Sequence, residues 1–308
     1  MNQPQQEPDY PWADVLPALG HTIEVAPGVR WLRMPLPFAL NHVNLWLLRD
    51  QIDSPDGPVQ GWTVVDGGVA DDPTRAAWEQ VFDTQLDGLP VLRVVATHMH
   101  PDHVGLAHWL TQRWSRTASA TDAGFECRLW MSATDFAAAR LGSRADPLMG
   151  GQAAAAFVAA HGLVDATALA QIRARAGFYA SMVPQVPATY RRLMDGGVLT
   201  IGSAQAGACH AWHCIAGYGH APEHIALHSP ALGVLVAGEC CSRASRPMSA
   251  STTWSPKPTR WRCSWPRWNA CAHCPPTRWC CPRTASRFAG CTPASIGCSN
   301  TMPIAWPT

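Results

Sequence analysis

Nine consecutive residues hold the densest chemistry in the chain: Thr97-His98-Met99-His100-Pro101-Asp102-His103-Val104-Gly105. Alternate residues of extended backbone point the same way, so His98 and His100 can face one ion together. Asp102 suits a helix N-cap position, and His103 falls in the first turn behind it. That turn can aim Asp102 and His103 at a second point close to the first. Ligand-type side chains this close in sequence leave little chain entropy to lose when an ion binds. A lone His is usually a surface or satisfied core group. Three His and one Asp together at a strand end fit that reading poorly. Imidazole and carboxylate donors without thiolate select zinc first, with iron or manganese as alternatives.

The motif needs a strand before it and a helix after it. Val91 to Ala96 reads as a buried strand, and His103 to Trp114 has helical periodicity. Upstream, Asn44 to Leu48 and Trp62 to Val65 are short strand-like runs separated by a polar turn at 53–61. Asp66-Gly67-Gly68 closes the second run. The spacing predicts a helix over Thr74 to Leu86, with Ala77, Trp78, Val81 and Phe82 on one side. Residues 132–195 read as a mostly helical insert, broken at Gly150-Gly151 and at Pro184 to Pro187. Ala211 to Ala216, His224 to His228 and Gly233 to Ala237 are strand candidates. The last two form a hairpin about Ser229-Pro230-Ala231. Strands, a helical insert and more strands predict a layered α/β domain, not a parallel doubly wound one.

The chain has 308 residues, 47% of them apolar and 15% charged, which excludes a wholly disordered protein. No apolar run reaches the length of a transmembrane helix. Met1 to Gly20 is polar and Pro-rich without an apolar signal region, so the expected location is cytoplasmic. The net charge of +1 hides a sharp division. Residues 1–239 hold 14 Arg and all 22 acids, or 14 − 22 = −8. Residues 240–308 hold 9 Lys+Arg and no acid, nine of the 12 Cys and six of the 15 Trp, and no Leu or Val.

The motif set resembles that of the metallo-β-lactamase-fold hydrolase superfamily, in particular hydroxyacylglutathione-hydrolase-like zinc enzymes. His-x-His-x-Asp-His after a strand is the family signature and stands intact at His98, His100, Asp102 and His103. The family's Gly-His-x-Pro-x-His segment matches Gly219-His220-Ala221-Pro222-Glu223-His224, which implies His220 as a ligand. Its Gly-Asp, whose carboxylate bridges two metals, reads here as Gly238-Glu239. Its Asp-x-Gly matches Asp66-Gly67-Gly68, and Asp66 is implied to support a ligand from behind. The resemblance runs from about Gly28 to Glu239. It implies a four-layer αββα sandwich with one or two metal ions at one edge between the sheets.

Two departures stand out. Glu239 is one methylene longer than the family's Asp, and the family's final Ser-His-Gly ligand has no counterpart. His273 is the only tail histidine, and its Cys-Ala-His-Cys setting does not fit. A tail without Leu, Val, Asp or Glu cannot easily build a core and reads as Pro-rich disorder. It also reads as the product of a shifted frame in a GC-rich gene, because off-frame CTG becomes TGC or TGG, the codons for Cys and Trp. One coding of Arg278-Trp279-Cys280-Cys281-Pro282-Arg283-Thr284-Ala285, shifted by one base, yields Leu-Val-Leu-Pro-Ser-His-Gly. Rival readings of the tail are a zinc module on Cys271, Cys274, Cys280 and Cys281, or a basic nucleic-acid arm.

The expected function is hydrolysis of a small ester-type substrate, thioester or related carboxylic ester preferred, by a zinc-bound hydroxide, with Asp102 orienting the attack. The alternatives are a catalytically impaired single-zinc protein lacking the final His, and nucleic-acid binding through the tail. His224 and His228 read as packing or surface groups, as do His108, His161, His210 and His213. Phe178, Tyr179 and Tyr190 are candidate site liners that read more simply as core. Substrate and oligomeric state stay open.

Overall fold

Antiparallel hairpins build the first half of the chain. In the computed structural model, which describes residues 12, 15–37, 40–54, 57–117, 124–144, 150–203, 208–239 and 285–287, β1 (Thr22–Ala26) turns at Gly28 into β2 (Val29–Pro35). Gly28 has φ +70°, a conformation that favours glycine. β3 (His42–Ser54) and β4 (Gly57–Val65) follow as one long hairpin, paired from Trp46↔Val65 to Ser54↔Gly57. The polar turn expected at 53–61 is therefore mostly strand. Backbone pairing continues past the apolar residues because the polar side chains at this end reach solvent.

From β4 onward the sheet is parallel, through β5 (Val91–Val95), β6 (Arg128–Ser132) and β7 (Tyr190–Leu193). This gives a seven-stranded mixed sheet in chain order. α1 (Asp72–Thr84) crosses from β4 to β5, capped by Asp71, whose carboxylate accepts from the Thr74 N–H. The helix expected over 103–114 is two: α2 (Pro101–Val104) and α3 (Ala107–Trp114). They part because the Leu106 N–H bonds to the Gly68 carbonyl. The insert carries α4 (Ala133–Gly142), α5 (Gly151–Ala160), α6 (Ala166–Ala174) and α7 (Phe178–Met182). It ends earlier than expected, since residues 190–193 are strand. Tyr190-Arg191-Arg192 shows no apolar alternation because β7 is an edge strand, where charge is tolerated.

The second sheet is antiparallel, in the order β12-β11-β10-β9-β8. β8 (Val198–Ser203) and β9 (Ala208–Gly217) precede the expected hairpin of β10 (His224–Ser229) and β11 (Val234–Val236). β12 (Ala285–Arg287) pairs with β11, so these three residues depart from the disordered reading of the tail. Residues 240–284 and 288–308, including His273 and the tail cysteines, lie outside the described residues.

The two sheets face each other across a core that includes Trp31, Trp46, Val65 and Val95 from the first and Trp212, Ile225, Leu227 and Val236 from the second. The helices cover the other face of the first sheet, with Trp78, Val81, Leu110 and Ala139 against Leu45, Val64, Val94 and Leu129. Each large aromatic removes about 150–250 Å² from water. Asp50, fully buried, joins the layers: it accepts from Thr63 Oγ1 at 2.6 Å, Arg93 Nη2 at 3.0 Å and the Gly202 N–H at 3.3 Å. The result is a layered α/β sandwich, with β5 and the β10–β11 hairpin ending at one edge.

Candidate metal centre

β5 is buried on both faces, and its C-terminal end delivers Thr97 to His100 to the sandwich edge. The Ile225 N–H bonds to the Thr97 carbonyl at 2.8 Å, which draws the start of β10 to the same place. His98 Nε2 lies 3.0 Å from His100 Nδ1 and 3.2 Å from His220 Nε2. Glu239 Oε2 lies 2.6 Å from His220 Nε2 and 3.9 Å from His98 Nε2. One ligand-type atom from each of the four residues lies within 4.8 Å of all the others. Tetrahedral zinc with nitrogen ligands at 2.0–2.1 Å holds them about 3.3 Å apart, so this donor set fits such an ion.

A second cluster shares Glu239 and adds Asp102 and His103. His103 Nε2 is buried without a hydrogen-bond partner, and Asp102 Oδ2 stands 3.5 Å from it. The other ring nitrogen, Nδ1, is 2.8 Å from Asp66 Oδ2. That contact places a proton on Nδ1, so Nε2 is the nitrogen that can turn a lone pair to an ion. An unsatisfied buried nitrogen between carboxylates is the second observation that fits a metal.

Asp66 adopts φ +69°, an uncommon backbone conformation for a residue other than glycine. Its carboxylate accepts from the Thr97 N–H at 2.7 Å and Thr97 Oγ1 at 2.9 Å. Thr97 Oγ1 is also 3.0 Å from His98 Nδ1. Asp66 thus touches both the start of the His motif and His103. Asp102 is not the N-cap of α2: His100 holds that place, Pro101 is the first helical residue, and Asp102 lies in the first turn.

Burial holds His98 well below the usual imidazole range, and the neighbouring imidazoles add to the effect. Burial, then His220, brings His100 down to about 4. Both are neutral at pH 7, the form a metal needs. Burial disfavours ionised Asp102, but His103 outweighs it and draws the carboxyl down to about 2. Burial opposes protonation of His103, yet Asp66 and Asp102 raise it well above the usual range. Metal binding there must displace a proton.

Three further residues shape the site without having been singled out as site residues by sequence. Asp135, fully buried in the first turn of α4, accepts from the Met99 N–H at 2.8 Å and the Glu223 N–H at 2.6 Å. The Tyr179 hydroxyl donates to the Met99 carbonyl at 2.6 Å. Tyr179 is therefore a buried support of the His motif and not a site liner. Tyr190 stacks on Phe136, and Phe178 is half exposed. His224 is fully buried, and its Nε2 accepts from the Glu239 N–H at 3.3 Å. Ser132-x-x-Asp135, a capping pattern, was the sequence signal for Asp135; Tyr179 had none.

The sequence-family model of the Metallo-beta-lactamase superfamily matches residues 42–240. The chain belongs to the metallo-beta-lactamase superfamily. A solved beta-lactamase domain protein from Burkholderia ambifaria is 49% identical, with 75% of this chain and 59% of that one covered and a TM-score of 0.63. A metallo-beta-lactamase family protein from Thermus thermophilus is 24% identical, with 73% of this chain and 63% of that one covered and a TM-score of 0.49. The chain thus spans about three fifths of the length of these two structures. No curated protein matches it. Metal-dependent hydrolysis is the chemistry of the metallo-beta-lactamase superfamily. The His98-His100-Asp102-His103 motif, His220 and Glu239 all fall inside the matched segment. No described helix is long and apolar enough to cross a membrane.

Proposed function

We propose that the chain is a zinc hydrolase of a small thioester or related carboxylic ester. The observation that carries the reading is the convergence of nitrogens from His98, His100 and His220 with Glu239 Oε2. His98, His100 and His220 would hold one ion, and Asp102 and His103 a second, with Glu239 between them. Bound zinc supplies Lewis acidity, lowering the pKa of water from 15.7 to about 7 and stabilising a developing oxyanion.

The chain's own groups do the positioning. Asp102, ionised at neutral pH, accepts a hydrogen bond from the attacking water and fixes its direction. Asp66 holds His103 in one ring orientation. Burial of His98 and His100 keeps both imidazoles unprotonated. Iron or manganese would suit the same donors less selectively. The hydrolase domain occupies residues 1–239 in a cytoplasmic protein. Residues 240–308 derive from a shifted frame, a reading supported by the composition break at the residue where the family match ends.

A single-zinc, impaired protein is the second reading. It is favoured by the second cluster, which offers only Asp102, His103 and Glu239 among the described residues. Metal analysis with a panel of thioester, lactone, β-lactam and phosphodiester substrates separates the two. Near two zinc per chain with ester or thioester turnover is expected from the first reading. One zinc and no turnover establishes the second, and turnover confined to β-lactams or phosphodiesters overturns the substrate class. Salt-sensitive nucleic-acid binding that disappears on truncation after Glu239 would instead establish a binding role for the tail.

A further inference from the structure

Met99 lies between two of the site histidines, and both its backbone groups are gripped by the helical insert. Its N–H donates to Asp135 Oδ1 at 2.8 Å, and its carbonyl accepts from the Tyr179 hydroxyl at 2.6 Å. Asp135 Oδ2 accepts the Glu223 N–H at 2.6 Å, three residues past His220. The Glu223 side chain is also tied to α4, accepting from Thr134 Oγ1 at 2.8 Å. Ser132 Oγ caps the Asp135 N–H and touches Oδ2, both at 3.3 Å, so the carboxylate itself is held.

We propose that Asp135 is a positioning residue that sets the separation of the two backbone segments presenting His98, His100 and His220, with Tyr179 as its partner on Met99. The two oxygens of one rigid carboxylate each take one segment. Neither segment can move without stretching a charge-assisted hydrogen bond in a dry environment, where such bonds are strongest. Asp135 and Tyr179 touch no ligand atom; they act through backbone, on where three imidazole nitrogens meet. The insert is thereby coupled to the geometry of the site, so a change at α4 or α7 alters metal binding. This inference rests on the metal-site reading of His98, His100 and His220.

Asp135→Asn is the direct test. Asparagine offers one oxygen and one NH₂, so one of the two backbone N–H groups must face another donor. Zinc affinity by chelator competition is expected to fall about 10–100-fold, the range for groups that orient metal ligands. The visible spectrum of the cobalt-substituted protein should shift as well. In metal-free protein the Met99 and Glu223 amides should both exchange faster. A core variant remote from the site, Val81→Ala, should lose stability yet keep wild-type zinc affinity. Wild-type affinity and an unchanged cobalt spectrum in Asp135→Asn would overturn the proposal.

If Asp135→Asn does not fold, Tyr179→Phe decides, because it removes only the hydroxyl on the Met99 carbonyl. A several-fold loss of zinc affinity with a shifted cobalt spectrum supports the proposal, and no change in either overturns it. A wild-type chain that binds no zinc overturns the metal-site reading instead. Amide exchange in the metal-free variants then still reports whether Asp135 couples the two segments.

Discussion

His220 reaches the cluster from a stretch of chain more than a hundred residues away, so its removal tests the convergence directly. His220→Ala is expected to release the ion held with His98 and His100 and to lower turnover more than about 100-fold, beyond the effect of losing an orienting group. Metal content per chain and kcat/KM check this. Asp66→Asn keeps the shape but weakens the acceptor behind His103 Nδ1. Metal affinity at the Asp102–His103 cluster should fall about 10–100-fold. Protonation makes a further prediction for metal-free protein. The folded-state pKa of His98, His100 and His224 lies below 6.5, so the unfolded chain binds more protons in acid. Their contribution to stability is present above 6.5 and is lost as pH falls toward about 4, the value for His100. His103 has the opposite sign: its contribution is full below 6.5 and fades as pH rises through its raised pKa. Thermal unfolding without metal should therefore shift to lower temperature between pH 6.5 and 4, and zinc should raise the unfolding temperature most near neutral pH and lose that effect as acid protonates its ligands.

At the level of elements, close approach and buried charge fix how the site edge is assembled. Gly105 sits where α2 ends beside the Gly67-Gly68 turn. A Cβ there would lie 2.4 Å from the Pro101 carbonyl, 2.7 Å from the Gly68 carbonyl and 2.9 Å from the Ala70 nitrogen. These are backbone atoms and cannot swing aside, so Gly105→Ala should cost about 1–3 kcal/mol or more and loosen the Asp102–His103 turn. Denaturant unfolding and zinc affinity both register it. Asp50 is the corresponding charge. Burial pushes its carboxyl up although Arg93 and Thr63 pull it down. Asp50→Ala leaves Arg93 without its carboxylate partner and Thr63 Oγ1 and the Gly202 N–H without this acceptor, so a loss of about 3–5 kcal/mol in unfolding free energy is expected.

For the whole molecule, the family match and the compositional break coincide at residue 240. The shifted-frame reading makes a definite prediction at the gene. The nucleotides over codons 235–290 should encode Leu-Val-Leu-Pro-Ser-His-Gly in another frame. Protein made from the restored frame should hold its second zinc more tightly than the present chain, because the missing His is returned to the Asp102–His103 cluster. DNA that encodes that heptapeptide in no frame overturns the reading.

The sequence alone shows the metal-type cluster at 98–103 and the break at the tail, through ligand spacing and composition, which are legible without contacts. His220 came forward as a ligand only through the likeness of Gly219-His220-Ala221-Pro222 to the family's segment, because that turn alone fits an exposed His equally well. The sequence also showed the buried strand Val91–Val95 and the β10–β11 hairpin, whose apolar runs and turn residues agree with their final setting. It did not show β1, β2, β7 or β8, whose strand character comes from pairing with distant neighbours and from edge exposure. Which ligand Asp66 supports, the span of Asp135 across two segments and the grip of Tyr179 on Met99 are visible only in the folded chain. Those contacts join residues far apart in the chain, and a hydrogen bond between them exists only once the layers have packed.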